Sequence, residues 1–354
     1  MAFSVRTKSK LKIVLLVTTA GILIGPLFVG IAFGNDMERL IKGMIAGFLI
    51  TFTSSIFENF VFTDQFKKLN FSLLLLVKSV FYILLISYSV LLVWVVHESM
   101  LNHLSWLATM KGRDFAKFIR GDFMYILLFA SSVSLLINFA VQVNNLLGKG
   151  VLLNYILGRY HKPVKEERIF MFLDLESSTT IAEQLGPIVY HRFMNNYFFD
   201  INDPIIESKG IIYQYVGDEV VISWKKKSGV KNGNCIECFF RICSRIESLK
   251  AGYLKDFGIV PGFKAGIHIG EAVIGEVGDS KKEIVFMGDV LNTTSRIQGQ
   301  SKILNKPLLI SEELYLTLQV EGKLNAQYEF DFLGKMKLKG KEMASGIYAV
   351  SKQN

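Results

Sequence analysis

Cysteine is scarce in this chain of 354 residues, which carries three. All of them, Cys235, Cys238 and Cys243, fall in one short window. An odd count so closely spaced supplies no disulfide framework. Cys235-x-x-Cys238 has the spacing of a zinc or redox pair, but no second ligand pair accompanies it. The stretch Asn234 to Phe257 reads as a helix whose cysteines suit a packed face, so free thiols in a reducing compartment are expected. Also missing is a basic stripe with interleaved aromatics, the footprint of nucleic-acid binding. The net charge of +9 is therefore not read as a nucleic-acid partner. No small-residue cleavage pattern precedes Asn35, and the first apolar run contains Gly25-Pro26, so that run does not read as a removable signal peptide.

What is present divides the chain in two. Residues 1–148 hold four apolar runs, Leu11–Phe33, Leu40–Phe62, Phe71–Val96 and Phe123–Leu147. Each reaches the roughly 20 residues needed to cross a bilayer. Lysine and arginine flank them: Arg6, Lys8, Lys10 and Lys12 before the first, Lys67 and Lys68 between the second and third, and Lys149, Arg159, Lys162 and Lys165 after the fourth. The bias of these residues toward the cytoplasm places the protein in the cell (inner or plasma) membrane with both termini on the cytoplasmic side. The loop with Lys111, Arg113, Lys117 and Arg120 opposes that assignment, and its neighbours Glu98, Asp114 and Asp122 do little to cancel it. Glu58 and Lys78 sit near the cytoplasmic ends of spans two and three, where charge is costly and often paired. They either pair or snorkel separately to the interface. The spans name no ligand; such a bundle senses membrane state, binds a small effector, or only anchors and dimerises.

Residues 149–167 form a polar, basic join with Gly158 and Pro163, read as a short helical extension followed by extended chain. It couples the two parts or merely tethers them. Residues 168–354 have the pattern of an α/β domain. Ile169 to Asp174 is a buried strand ending in a carboxylate, followed by Leu175-Glu176-Ser177-Ser178-Thr179. A helix runs from about Thr179 to Glu207, interrupted at Gly186-Pro187. Ile211–Val216 and Glu219–Trp224 form a hairpin with Asp218 at its tip. One helix over Asn234 to Phe257 comes next. Strand Gly262–Ile269 leads into Gly270 to Gly278, whose glycines suit a bend with close backbone approach. Ile284–Met287 is a short strand, and a helix opens at Gly288. Two strands near Gln327–Phe332 and Gly346–Val350 close the chain. The order βαββαβ is that of a ferredoxin-like sandwich.

Asp174 and Asp218 then lie on neighbouring strands. Two carboxylates held close are unfavourable without a cation, and a pair of divalent cations acts on phosphates. Each acid also has a plain reading: Asp174 or Ser178 as a helix N-cap, Asp218 as a turn residue. Asn292 and Arg296 share one helix face and suit a ribose and a phosphate; an exposed polar face would look the same. Lys335 to Lys341 is a solvated basic strand or a flap offering lysines to a triphosphate.

Taken together, Phe-Leu-Asp174-Leu-Glu-Ser-Ser-Thr, Val-Gly-Asp218-Glu, Gly266-Ile-His-Ile-Gly270, Gly288-Asp-Val-Leu-Asn292-Thr-Thr-Ser-Arg296 and Leu-Lys339-Gly resemble the class III nucleotidyl cyclases. The likeness covers about residues 164–350. The four-span N-terminus is similar to that of membrane-anchored bacterial members. The resemblance implies a four-helix transmembrane bundle followed by an α/β ferredoxin-like catalytic domain, working as a homodimer with sites at the interface. One subunit would contribute Asp174, Asp218 and the Leu175 backbone for two Mg²⁺ or Mn²⁺ ions. Leu175, Glu176, Ser177, Ser178 and Thr179 would meet phosphates through backbone N–H groups. The other subunit would contribute Asn292 toward the ribose, Arg296 toward the transition state and Lys339 toward the triphosphate. The reaction implied is attack of the ribose 3′-oxygen on the α-phosphorus, giving a 3′,5′-cyclic nucleotide and pyrophosphate.

The sequence departs from the family pattern at base selection. Adenylate members usually carry Lys where Gln214 stands and Asp where Val285 stands; guanylate members usually carry Glu and Cys. Gln214 can serve either base, and ATP is expected over GTP because adenylate cyclases are the commoner bacterial members. Two rival readings stand beside this one. A diguanylate cyclase is opposed by Val216 in place of a glycine and by the Asn-x-x-x-Arg helix. An inactive nucleotide-binding membrane sensor is opposed by the intact metal and transition-state positions.

Overall fold

The computed structural model describes residues 5–62, 70–147, 154, 156–321, 327–338 and 344–353. They fall into two compact units, Met1–Leu147 and Gly148–Asn354.

The first unit is helical. α1 (Val5–Phe33), α2 (Met37–Ile56) and α3 (Phe71–Leu101) are followed by two short helices, α4 (Trp106–Lys111) and α5 (Arg113–Phe118), and then by α6 (Met124–Leu147). Among the described residues, four helical stretches are long and apolar enough to cross a membrane. α1 and α2 meet along glycines: a Cβ added at Gly25 would collide with the Gly43 carbonyl, and one at Gly47 with that of Gly21. Small residues of this kind let helix backbones approach in lipid, where the hydrophobic effect gives no drive to associate. α2 ends in a π-helical turn, Phe57–Val61, which carries Glu58. Lys78 Nζ lies 2.5 Å from Glu58 Oε1, and Tyr82 donates to Glu58 Oε2 at 2.8 Å. Of the two readings of these charges, the structure gives the pair. The basic segment around Lys111 to Arg120, expected as a loop, is helical.

The second unit is built on one mixed sheet. Its strands are β1 (Val164–Leu175), β2 (Ile211–Val216), β3 (Glu219–Lys225), β4 (Phe263–Val277), β5 (Glu283–Met287), β6 (Leu308–Ser311), β7 (Tyr328–Met336) and β8 (Ser345–Lys352). Their order is β2-β3-β1-β4-β6-β8-β7, with β5 paired to β4. The first four strands thus stand in the order of a ferredoxin-like sandwich. From Ile169 to Leu173 β1 is apolar without alternation because both its faces are covered there. Ile169, Met171, Leu173 and Leu175 enter the larger core, together with Phe193, Tyr197 and Ile201 of α7 (Ser178–Glu207) and Cys235, Cys238 and Phe239 of α9 (Asn234–Ser248). A five-residue helix, α8 (Lys226–Val230), precedes α9. Phe170 and Phe172 face the other way, against Ala272 and Val290.

The structure corrects the sequence reading in three places. The helix expected over Asn234 to Phe257 is two, α9 and α10 (Lys250–Phe257), because Leu249 leaves helical geometry at ψ 1°. The bend expected over Gly270 to Gly278 is not there. β4 runs unbroken because β1 pairs it from Phe263 to Ile274, and β5 continues the pairing to Val277. The close approach expected of its glycines does occur: a Cβ at Gly266 would strike the Gln298 backbone of α11 (Asp289–Ile303). Finally, β6 and α12 (Glu312–Glu321) occupy a stretch left without elements. The three cysteines are free, as expected. Burial pushes the Cys235 thiol up to about 12 and that of Cys243 to about 11, the behaviour of packed side chains rather than reactive ones.

Candidate active site

β1 ends at the site. Asp174 stands opposite Glu219 on β3 and opposite Lys264 on β4. The β2–β3 turn is tight because Gly217 adopts φ 62°, a conformation open to glycine at little cost. That turn brings Asp218 to the same end of the sheet, beside Glu219. Asp174 is only 7% exposed, so its charge needs partners. Gln298 donates from Nε2 to Asp174 Oδ2 at 3.0 Å, and the Lys302 ammonium contacts the same oxygen. The N-cap position of α7 (Ser178–Glu207) falls on Ser177, so neither Asp174 nor Ser178, the plain readings, caps that helix. Burial and, next, the charges of Asp174 and Asp218 push the Glu219 carboxyl up to about 7. The hydrogen bond to Asp174 raises the Lys302 pKa despite partial burial.

The turn after β1 is shaped for close contact. Ser177 takes a left-handed conformation, φ 56°, and its side chain makes no cap hydrogen bond. Ser178 opens α7, so the first N–H groups of that helix lack intrahelical partners and present partial positive charge. Glu176 is held aside by Lys264 at 2.9 Å. An open groove of about 750 Å³ runs past this turn, lined by Thr179, Glu183, Tyr190, His191, Asn195 and Asp218. The expected break in α7 is at Gly186, φ 71°, followed by Pro187; it lets the chain turn along that groove. Burial, then Asp218 and Asp174, raises the Tyr190 phenol.

The other expected residues lie apart from this cluster. Asn292 and Arg296 are on α11, as are Gln298 and Lys302. At 3.6 residues per turn, Gln298 is about 200° round the helix from Arg296. Gln298 and Lys302 meet the chain's own Asp174, and the pair Asn292 and Arg296 is centred about 120° round α11 from them, on a different side of the helix. Gln214 is exposed on β2, and Val285 is half-buried on β5. Between them, Tyr213 and Phe286 join the two strands: their rings lie 4.7 Å apart, and the Phe286 N–H donates to the Tyr213 hydroxyl at 3.2 Å. Arg168 supports the join from below, 4.6 Å over the Phe286 ring. Lys339 lies outside the described residues. Gln298, Lys302 and Glu219 were not singled out from the sequence, although Gln298 and Lys302 repeat the i, i+4 spacing of Asn292 and Arg296.

The chemistry of the two acids suits a divalent cation: Asp174 and Asp218 bring hard oxygen ligands to one end of the sheet, and the Lys302 ammonium stands against Asp174 in the position of a counter-cation.

The chain is similar to known cyclases. "Adenylate cyclase 2" of Rhizobium meliloti (strain 1021) is 38% identical over 226 residues, which are 64% of this chain and 61% of that protein. "Adenylate cyclase 1" of the same organism is 28% identical over 218 residues, 60% of this chain and 31% of that protein. The chain therefore spans less than two thirds of either relative. A bacterial light-regulated adenylyl cyclase has the same fold, with a TM-score of 0.54 at 20% identity over 66% of this chain and 67% of that one. Residues 161–351 match the Adenylate and Guanylate cyclase catalytic domain. That span is more than half of the chain and contains the strand that delivers Asp174, the turn that delivers Asp218 and both faces of α11; the chain belongs to this cyclase family.

Proposed function

We propose that this chain is a membrane-anchored adenylate cyclase. It converts ATP into 3′,5′-cyclic AMP and pyrophosphate at sites shared between two catalytic domains, with its N-terminus and catalytic domain on the cytoplasmic side. The observation that carries this reading is that Asp174 and Asp218 lie at one end of the sheet, while Arg296 stands about 200° round α11 from Gln298, the residue that meets Asp174. A site with every part then takes its acids from one chain and its amide and guanidinium from another.

Asp174, Asp218 and the Leu175 carbonyl oxygen would hold two divalent cations, Mg²⁺ or Mn²⁺. When bound, these activate the attacking oxygen and neutralise charge on the phosphates. Of the backbone N–H groups expected to meet phosphate from Leu175 to Thr179, that of Glu176 already donates to the Gly262 carbonyl at 2.8 Å and Leu175 is in the β1–β4 ladder, so those of Ser177, Ser178 and Thr179 at the start of α7 would receive the phosphate oxygens. Asn292 of the second chain orients the ribose so that its 3′-oxygen is in line with the α-phosphorus. Arg296 donates to the α-phosphate oxygens as charge builds there, and Lys339 holds the triphosphate. The bond from the 3′-oxygen to the α-phosphorus forms as the bond from that phosphorus to the bridging oxygen breaks. Pyrophosphate leaves with the electron pair, and the 3′-hydroxyl proton passes to solvent. Gln214 accepts from the adenine amino group, and Val285 packs beside the base. The adenylate cyclases among the similar proteins support ATP over GTP.

The test is turnover by the purified full-length chain with Mn²⁺ and either ATP or GTP. Cyclic AMP from ATP is the expected product. Cyclic GMP from GTP alone would keep the reaction and overturn the substrate. Nucleotide binding without turnover of either would overturn the enzymatic reading in favour of a sensor.

A further inference from the structure

Two donors hold the same oxygen of Asp174, and they differ in freedom. Gln298 is 6% exposed, and its backbone is packed so closely on Gly266 that β4 has no room there for a Cβ. It has nowhere to move. Lys302 stands on the last turn of α11, its side chain 56% exposed. Its four-carbon stem can swing the ammonium into solvent. The ammonium is drawn to Asp174 and also feels the charges of Asp218 and Glu219. That ammonium thus lies among three carboxylates. An ammonium and a divalent cation next to one carboxylate oxygen repel each other strongly in a partly buried site.

We propose that Lys302 is a displaceable counter-cation of the metal site. Its ammonium occupies Asp174 when no divalent cation is bound, and it must leave before one can enter. Gln298 meanwhile keeps the carboxylate in place through the exchange. The proposal rests on the reading of Asp174 and Asp218 as the metal acids. It makes Lys302 a residue that sets cation affinity, not a catalytic residue. The exchange keeps the metal-free chain from carrying an uncompensated, nearly buried carboxylate, a state that is costly. The cost of filling the site is then the release of one exposed lysine.

The test is Mn²⁺ binding to the full-length chain in detergent without nucleotide, followed by calorimetry and by the Mn²⁺ electron paramagnetic resonance signal. Lys302→Met should bind Mn²⁺ about tenfold more tightly, in the usual range of coupling between competing ligands. Lys302→Arg, which keeps the charge, should stay close to the wild type. Equal or weaker binding by Lys302→Met would overturn the proposal. Asp174→Asn separates the two levels: if it binds Mn²⁺ as the wild type does, the metal-site reading fails and takes this proposal with it. If it loses binding while Lys302→Met shows no gain, only the counter-cation role fails.

Discussion

Glu219 carries a cost that pH reveals. Its carboxyl has an ordinary value of 4.5 and is pushed up to about 7, by burial first and then by Asp174 and Asp218. Between those values the native chain holds a proton that the unfolded chain has lost, so this group's contribution to stability falls as pH rises across the interval. Thermal unfolding of the cation-free chain should show the wild type losing stability relative to Glu219→Gln from about pH 4.5 to about pH 7. Parallel curves for the two proteins would contradict the assignment. At this scale the sequence was uneven evidence. Asp174 and Asp218 were legible because each ends a short pattern with its own signature, a buried strand and a tight turn. Gln298 was not, because its partner is 124 positions away in the chain, and nothing local to it announces a contact made only when α11 packs on β4.

The elements divide in the same way. The four spans and the strand over Ile169 to Leu175 were legible from the length and continuity of apolar runs. β6 escaped because a four-residue strand is too short to set a period, and the straightness of β4 was decided by neighbours on both sides rather than by its glycines. The Glu58–Lys78–Tyr82 cluster belongs to this scale, since a π-helical turn in α2 and a face of α3 make it together. Lys78 is 6% exposed. Either single change, Glu58→Lys or Lys78→Glu, leaves like charges side by side and should cost the bundle roughly 2–3 kcal/mol, the scale of an uncompensated charge inside a membrane. Unfolding of the detergent-solubilised chain should show the Glu58→Lys/Lys78→Glu double variant recovering most of that loss. No recovery would mean that the two residues act independently.

For the whole molecule, the division of site residues between two copies is the point on which the proposed function can be tested most directly. Asp174→Ala and Arg296→Ala should each abolish turnover as homodimers. Mixed in equal amounts they should recover about one quarter of wild-type activity, since about half of the dimers are mixed and each of those has one intact site of two. If mixed dimers form and remain inactive, the sites are not shared. The resemblance read from the sequence already assigned Asn292 and Arg296 to the other subunit, but gave no sign that α11 also meets its own chain's Asp174 through Gln298 and Lys302. That contact follows from α11 packing closely on β4 at Gly266. In the proposed shared-site dimer this helix would be an axle common to both active sites, since Gln298 and Lys302 meet its own chain's Asp174 while Asn292 and Arg296 would serve the other chain's nucleotide. A small rotation of the axle would re-aim Arg296 at one site and shift Gln298 and Lys302 at the other in the same motion. Under that proposal the two sites would be geared together, and filling one would alter the cation affinity of its twin.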